Sequence, residues 1–340
     1  MAWIKMARNT GYTKRESLSS NRLEKVIEYI FKANLAVKKR ERVLILSDKN
    51  KKKIGRLFFK IGKRFTDKID LMEMPIGNVN GEEPPANVAK SMLDYDVELL
   101  ITTKSLTHTE ARKNASKKGA RIATLPNATE AMLKRTIIID YKKMHKIIAK
   151  IGNMLDGGEW VKITSKGGTN ITFNIKGRKA HGRKCGLFLK KGDYGNLPDG
   201  EVFIAPVEGS SDGVYIVDGS LGGIGKVDKP VCVYVDKGYV TKIDGGKAAD
   251  QLTKTLDNVG REARNIAEFG IGTNEKAVIS GNMLEDEKVI GTCHIALGNN
   301  SGFGGKVKVP LHIDGIIKKP TIWIEDKKVI EDGRFIFYLK

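Results

Sequence analysis

The chain has 340 residues, of which 40% are hydrophobic and 29% are charged, and this composition excludes an intrinsically disordered protein. Its formal net charge of +20 is concentrated in residues 1–150, which hold 33 Lys and Arg against 16 Asp and Glu. Three scattered cysteines exclude a disulfide framework, and the first residues have no apolar core of the length that a secretory signal needs. No apolar run is long enough to cross a bilayer, so we expect a cytoplasmic protein without membrane contacts.

The basic first half allows two interpretations. A basic face is typical of proteins that bind nucleic acid or an acidic partner, but it also occurs as a lysine-rich solvated surface. The basic residues here are not interleaved with aromatic side chains, as they are in many RNA-binding surfaces. The solvated surface is therefore favoured, and nucleic-acid binding is the less favoured alternative.

The first 150 residues alternate between helical and strand patterns. Apolar residues at helical spacing predict a helix within residues 20–37, and the apolar run of residues 42–48 predicts a buried strand. Further strands are predicted at residues 67–75, 97–105 and 120–126, with helical patterns between them. This alternation predicts a mostly parallel, Rossmann-like sheet flanked by helices. One long helix is predicted over residues 129–155, where the chain leaves this domain.

The pattern changes after Gly158. Residues 160–181 alternate polar and apolar side chains around a Gly-Gly pair, which is typical of a β-hairpin. We predict an α/β domain at residues 1–152 and a mostly antiparallel β domain that binds metal at residues 153–340. The glycine-rich segment GSLGGIG is a weak phosphate-loop candidate, and no GxGxxG motif follows the first strand, which argues against dinucleotide binding.

Polar residues that suit a metal site lie beside apolar runs in the second half. His312 and Asp314 are two residues apart and therefore share one face of a predicted strand. His294 lies within the apolar run CHIAL, where a buried imidazole needs a polar partner. Glu201 and Glu268 each lead into an apolar run, and a buried carboxylate needs a charged partner. Taken singly these are ordinary surface or core residues, but together they would suit one or two divalent cations such as zinc, cobalt or manganese.

The segments NLPDGEVFIAP, AEFGIGTN, LEDEKVIGTCHIALG and HIDG, in this order, resemble the aminopeptidase T family of metallopeptidases. The resemblance implies a metal-dependent hydrolase that removes N-terminal residues from peptides by means of a metal-bound water. Glu268 would accept the proton of that water, and the assembly would be a homodimer acting on a peptide or another small molecule. The implied ligands of two metal ions are Glu201, Glu268, His294, His312 and Asp314.

Two alternatives to the peptidase remain open. The same superfamily includes ring-cleaving dioxygenases of dihydroxypyridines, which hold one iron(II) with two histidines and a carboxylate. His294, His312 and Asp314 would supply that set, whereas the presence of Glu201 and Glu268 favours the two-metal hydrolase. Ser301 stands where the peptidases carry a tyrosine, which argues against peptide cleavage. The other alternative is a non-catalytic binding protein that uses the basic first domain.

Several polar residues are expected to lie outside the site. Cys293 should point away from His294 if this segment is extended, and the thiol should be buried. The charged segment LEDEK at residues 284–288 is predicted to be a surface turn. The remaining histidines lie among Lys, Arg and Thr and are expected to be solvated: His108, His145 and His181.

Overall fold

The computed structural model describes residues 14–336, and the side chains of residues 22–336. The first 13 residues, which bear on the expectation about a secretory signal, lie outside the described residues. Within the described part of the chain, no helix is long and apolar enough to cross a bilayer. The strands are β1 (Val43–Asp48), β2 (Ile69–Met74), β3 (Val97–Ile101), β4 (Arg121–Thr124), β5 (Trp160–Thr164), β6 (Asn170–Asn174), β7 (Tyr194–Asn196), β8 (Glu201–Ile204), β9 (Asp212–Val217), β10 (Ser220–Leu221), β11 (Gly225–Lys226), β12 (Val231–Asp236), β13 (Tyr239–Asp244), β14 (Ile266–Gly272), β15 (Cys293–Gly298), β16 (His312–Ile317), β17 (Thr321–Ile324), β18 (Lys327–Glu331) and β19 (Arg334–Phe335). The α-helices are α1 (Lys14–Tyr29), α2 (Lys52–Gly62), α3 (Ala86–Met92), α4 (Glu110–Lys118), α5 (Glu130–Thr136), α6 (Tyr141–Gly157), α7 (Lys247–Val259) and α8 (Met283–Asp286), with a π-helical turn at Ile30–Asn34 and a 3-10 turn at Arg261–Arg264.

The predicted parallel sheet is confirmed, with five strands in the order β2-β1-β3-β4-β7. Alternate side chains of β1 enter two separate cores, because Val43 and Ile45 pack with α1, α2 and α5 while Leu44 and Leu46 pack with α3 and α4. All six residues of β1 are therefore buried, which explains its continuous apolar run. The predicted strands and helices up to residue 126 are all present.

The second half forms two antiparallel sheets, as the alternating patterns predicted. The large sheet has eight strands in the order β13-β12-β9-β6-β5-β17-β18-β19, and the site sheet has six in the order β11-β10-β16-β15-β14-β8. The two sheets and α6 share one core, in which the rings of Phe173 on β6 and Phe269 on β14 lie 5.2 Å apart. Strand β7 pairs with β4 in the parallel sheet, so the chain returns to this sheet after residue 153. The boundary between residues 152 and 153 stays a prediction.

The long helix predicted over residues 129–155 is instead two helices, α5 and α6, separated by residues 137–140. The side chain of Asp140 accepts a hydrogen bond of 2.9 Å from the backbone N–H of Lys143 and thereby caps α6. Three consecutive β-branched isoleucines precede Asp140, and such residues favour a helix interior less than unbranched ones do. The apolar periodicity continues across the break, which is why the pattern predicted one helix.

We expect Asp140→Ala to lower the free energy of unfolding by about 1 kcal/mol, because α6 loses its capping acceptor. Urea unfolding followed by circular dichroism measures the change. Asp140→Asn is the matched control and should unfold close to the wild type, since its amide oxygen can accept the same bond. Equal losses in the two variants would contradict a capping role.

Candidate metal centre

The site sheet brings all five sequence-predicted ligand residues together. Glu201 is the first residue of β8, Glu268 lies in β14, His294 in β15, and His312 and Asp314 in β16. These four strands are consecutive neighbours in the sheet. The alternation of side chains along each strand directs the five residues to one face, while Cys293 and other alternate residues of β15 enter the core behind it. The buried-thiol prediction for Cys293 is confirmed.

Each of the five side chains has a small residue opposite it in at least one neighbouring strand. The register pairs His294 with Gly270 and His312 with Gly298. Ala296 is paired with Asp314 on one side and with Glu268 on the other. Directly opposed side chains in a sheet are close neighbours, so larger residues at these positions would fill the space in front of the ligands. The glycine-rich character of residues 265–315 thus creates the site.

The polar atoms form two groups that share Glu268 among the described residues. In the first group, His294 Nε2 lies 3.3 Å from Glu268 Oε1 and 3.6 Å from Glu201 Oε2. In the second, His312 Nε2 lies 3.6 Å from Glu268 Oε2 and 3.4 Å from Asp314 Oδ1. Both imidazoles therefore direct Nε2 toward the same carboxylate.

The charged groups of the site shift one another's pKa values. Burial alone would raise the pKa of Asp314. The positive charges of His312 and, more weakly, of His294 and Lys288 outweigh this effect and lower the pKa to about 2. Burial would lower the pKa of His312, but Asp314 and Glu268 raise it to about 10. The pKa of His294 is likewise raised to about 9, against burial, by Glu268 and Glu201. The raised pKa values mean that the surrounding carboxylates stabilise the positively charged form of both imidazoles.

Glu201 has a partner that the sequence prediction missed. The side chain of Lys288 is fully buried, and its Nζ donates a hydrogen bond of 2.7 Å to Glu201 Oε1 and another to Glu287. Burial raises the pKa of Glu201 to about 8 even though Lys288 opposes this effect. The buried carboxylate at residue 201 was expected to need a charged partner, and Lys288 supplies one. A metal-ligand role for Glu201 stays a prediction.

The segment that carries Lys288 is not the surface turn predicted for residues 284–288. Its first three residues belong to the short helix α8, in which the side chain of Glu285 accepts two hydrogen bonds of 2.7 and 2.8 Å from Arg135 of α5. Asp286 accepts a bond of 2.6 Å from the backbone N–H of Ser280. High charge suggested solvent exposure, but each of these charges has a specific partner and is buried.

The donors fit a metal ion. His312 Nδ1 lies 2.9 Å from the carbonyl oxygen of Asn299 and donates its proton there, so Nε2 is the nitrogen that could exchange its own proton for a cation. Glu201 Oε2 is buried and has no hydrogen-bond partner among the described residues. Imidazole nitrogens and carboxylate oxygens are ligands that suit iron, zinc and similar ions.

Comparison with known proteins decides the family. A family model described as NicX, 2,5-dihydroxypyridine 5,6-dioxygenase, matches residues 30–337. The chain belongs to this family. A curated 2,5-dihydroxypyridine 5,6-dioxygenase from Pseudomonas putida is 24% identical over 262 residues, which are 73% of each chain.

Solved structures agree with the NicX family in fold. The 2,5-dihydroxypyridine dioxygenase from Pseudomonas putida superposes with a TM-score of 0.79 at 19% identity, over 93% of this chain and 97% of that one. AmpT from Thermus thermophilus superposes with a TM-score of 0.68 at 16% identity, over 93% and 99% of the two chains. The aminopeptidase T resemblance thus holds at the level of the fold.

The NicX match overturns the predicted activity. The sequence analysis favoured a metal-dependent hydrolase of the aminopeptidase type, and this prediction, including its classification as a protease, is wrong. Its physical basis was the presence of Glu201 and Glu268, which were attributed to a second metal. Because Lys288 neutralises Glu201, the glutamate does not imply a second metal. The homodimer stays a prediction.

His108 was expected to be solvated with the other two histidines, but it lies at the site. His108 follows β3 in the parallel sheet. Its Nδ1 lies close to Gly302, in the loop between β15 and β16, and would be 4.0 Å from a methyl group added to that glycine. His108 reaches the surface, but protein atoms surround much of its ring; this partial desolvation, followed by the charges of His312 and Arg112, lowers its pKa to about 4, so the ring is neutral. Its position is set by the fold, and no nearby motif marks it. His145 is exposed, as predicted, and His181 stacks on Phe203.

Ser301, in the same loop, is exposed and does not replace the missing tyrosine by a contact with the five residues. Its Oγ lies 2.9 Å from Asn299 Oδ1, and its backbone N–H donates to the same oxygen. Asn299 in turn holds His312 through its carbonyl group. Ser301 therefore helps to order the residue that orients His312.

We expect Gly270→Ala to lower metal affinity by about 10- to 100-fold, because the added methyl group would lie 2.2 Å from His294 Nε2 and must displace the ring. Isothermal titration of the metal-free protein with a divalent cation measures the loss. Gly157→Ala is the control, since a methyl group there meets no atom within 4 Å. An unchanged affinity in Gly270→Ala would contradict a ligand role for His294.

Proposed function

We propose that the protein is a ring-cleaving dioxygenase that acts on a dihydroxylated pyridine or a closely similar aromatic ring and uses one iron(II) ion. The observation that carries the proposal is the convergence of His294 and His312 with a carboxylate, in a chain of the NicX family. Two histidines and one carboxylate on an iron(II) ion leave positions open for other molecules, and the bound metal supplies the redox chemistry that lets dioxygen react with an aromatic ring.

The protein residues would each have a defined task. His294, His312 and Asp314 would hold the metal, and the carbonyl group of Asn299 would keep His312 in the tautomer that binds through Nε2. Glu268 lies within 3.6 Å of both imidazoles, where it would hold or transfer a proton or join the ligands. A catalytic role for Glu268 stays a prediction, but the reaction it would serve is ring cleavage.

The surroundings of His312 suit a flat, neutral ring. Phe303 packs its ring edge-on against His312, with centroids 5.9 Å apart, and Phe303 also meets Phe203 at 5.6 Å. Aromatic faces of this kind bind planar rings in stacked or edge-on geometry. A cleft of about 330 Å³ adjoins Phe303 and is lined by basic residues such as Lys179 and Lys306. Its size suits a small molecule.

His108 would contact the substrate from the opposite side. Because its imidazole is neutral, one ring nitrogen accepts a hydrogen bond and the other donates one. A ring hydroxyl group of the substrate is a suitable partner, because it can donate a hydrogen bond to the accepting nitrogen or accept one from the other nitrogen. The parallel sheet thus supplies a substrate-binding residue, and the site sheet supplies the metal ligands.

We expect the iron-loaded protein to consume one dioxygen per 2,5-dihydroxypyridine, with loss of the ring absorbance, and His312→Ala to abolish both the reaction and the bound iron. Oxygen-electrode and absorbance measurements, with elemental analysis of the same samples, test this expectation. His145→Ala is the matched control, because it removes an exposed histidine. No oxygen uptake with dihydroxylated pyridines or benzenes by iron-loaded wild type would refute the proposal.

We expect His108→Ala to lower kcat/KM for ring cleavage by about 100-fold or more while the iron content stays at the wild-type value. The reason is that His108 contacts substrate and does not bind the metal. His108→Gln should recover part of the loss, since its amide can donate and accept hydrogen bonds. Parallel loss of iron and activity in both variants would contradict this role.

A further inference from the structure

The buried ammonium group of Lys288 lies beside a group of side chains that would otherwise suit a second metal ion. We propose that Lys288 takes the place of this second ion and so limits the centre to one metal. The inference rests on the proposed function, because it explains how a scaffold with five potential ligands would hold a single iron.

The side chains around Glu268 have the layout of two adjoining cation sites. Glu201, Glu268 and His294 offer ligand atoms within 4.8 Å of one another, and so do Glu268, His312 and Asp314. A carboxylate shared between two such groups is the usual bridge of a two-metal centre. Because His294 can hold only one ion, a second ion beside an iron on His294, His312 and Asp314 would have to be held by Glu201 and Glu268. Ligand count alone does not exclude such an ion, and another feature must decide the number.

The hydrogen bonds of Lys288 reach Glu201 of the first group and no member of the second. Its Nζ lies 2.7 Å from Glu201 Oε1 and also bonds Glu287, whereas no hydrogen bond joins it to His312 or Asp314 among the described residues. One oxygen of Glu201 is thereby occupied, and the negative charge of this carboxylate is already balanced. A divalent ion placed against Glu201 would lie a few ångströms from a fixed positive charge, and the two would repel strongly at low dielectric.

Two ion pairs and complete burial hold the ammonium group in place. The side chain of Lys288 has 0% exposure, and a move toward water would break its contacts with Glu201 and Glu287. Its backbone is also fixed, because its carbonyl group accepts a hydrogen bond of 2.8 Å from the N–H of Asn274, and the adjoining α8 is tied to α5 through Glu285. A cation that is part of the chain cannot dissociate, so chelators would remove the metal and leave this charge in place.

The test counts metal ions in Lys288→Met, which keeps the length of the side chain and removes its charge. Metal-free samples are incubated with excess iron(II) without oxygen, or with zinc, then desalted and subjected to elemental analysis. We expect one ion per chain in the wild type and two in Lys288→Met. Lys276→Met is the matched control, because it removes an exposed lysine, and it should retain one ion.

Two further variants cover the case in which Lys288→Met does not fold. The double variant Glu201→Gln/Lys288→Met removes both charges of the pair, so the net charge beside the centre is unchanged, and it should bind one ion as the wild type does. Glu201→Gln with Lys288 intact should bind no more than one ion, and more weakly than the wild type, because the ammonium group is then less well balanced and repels the ion. Loss of the ion, or gain of a second ion, in the double variant would overturn the proposal.

The outcomes separate this inference from the proposed function. Two ions in the wild type, or one ion in folded Lys288→Met, would overturn the role of Lys288 while ring cleavage by the wild type is measured independently. A wild type that binds one ion, gains a second in Lys288→Met and cleaves no ring would support the role of Lys288 and refute the proposed reaction.

Discussion

The site depends on an excess of buried carboxylates over buried cations. Glu201, Glu268 and Asp314 project from neighbouring strands onto one face of the site sheet, and all three are largely shielded from water. Removing charges from water is costly unless partners compensate them. Lys288 compensates Glu201, and the two histidines adjoin the other carboxylates. The same buried carboxylates that make the sheet costly to fold would also give it affinity for a metal ion.

The rest of the fold supports this arrangement in two ways. Behind the site sheet, residues such as Phe269 and Ile295 pack into the shared core and hold the strands in register. In front of it, Gly270, Ala296 and Gly298 leave space opposite the ligands. A one-residue shift in register would turn the ligands into the core, so the apolar face and the polar face specify the same pairing. Packing and chemistry are therefore encoded by alternate residues of the same strands.

Local periodicity predicted the fold class and placed His312 and Asp314 on one strand face. The grouping of these two residues with Glu201, Glu268 and His294 was implied by the resemblance to the aminopeptidase T family. An apolar run followed by a helical pattern marks a parallel sheet, and residues two apart share a strand face. Lys288 and His108 were missed for a different reason. Lys288 lies in a charged segment that is typical of a surface, and its burial depends on Glu201, 87 positions away along the chain. His108 reaches the site only because the parallel sheet packs beside it. Such pairings between distant segments leave no local pattern.

The same distinction explains why the reaction was predicted wrongly. Ligand types identify a cation site but do not determine how many cations it holds, because a carboxylate is satisfied equally by a metal or by an ammonium group. On the proposal made here, Lys288 gives Glu201 a permanent partner that cannot polarise a water molecule or exchange electrons. What remains for a metal is the pair of histidines with Asp314 and Glu268. A single ion with open coordination positions beside Phe303 and Phe203 suits a reaction between a small aromatic ring and dioxygen. Hydrolysis by two ions would need a second ion at the position that Lys288 occupies.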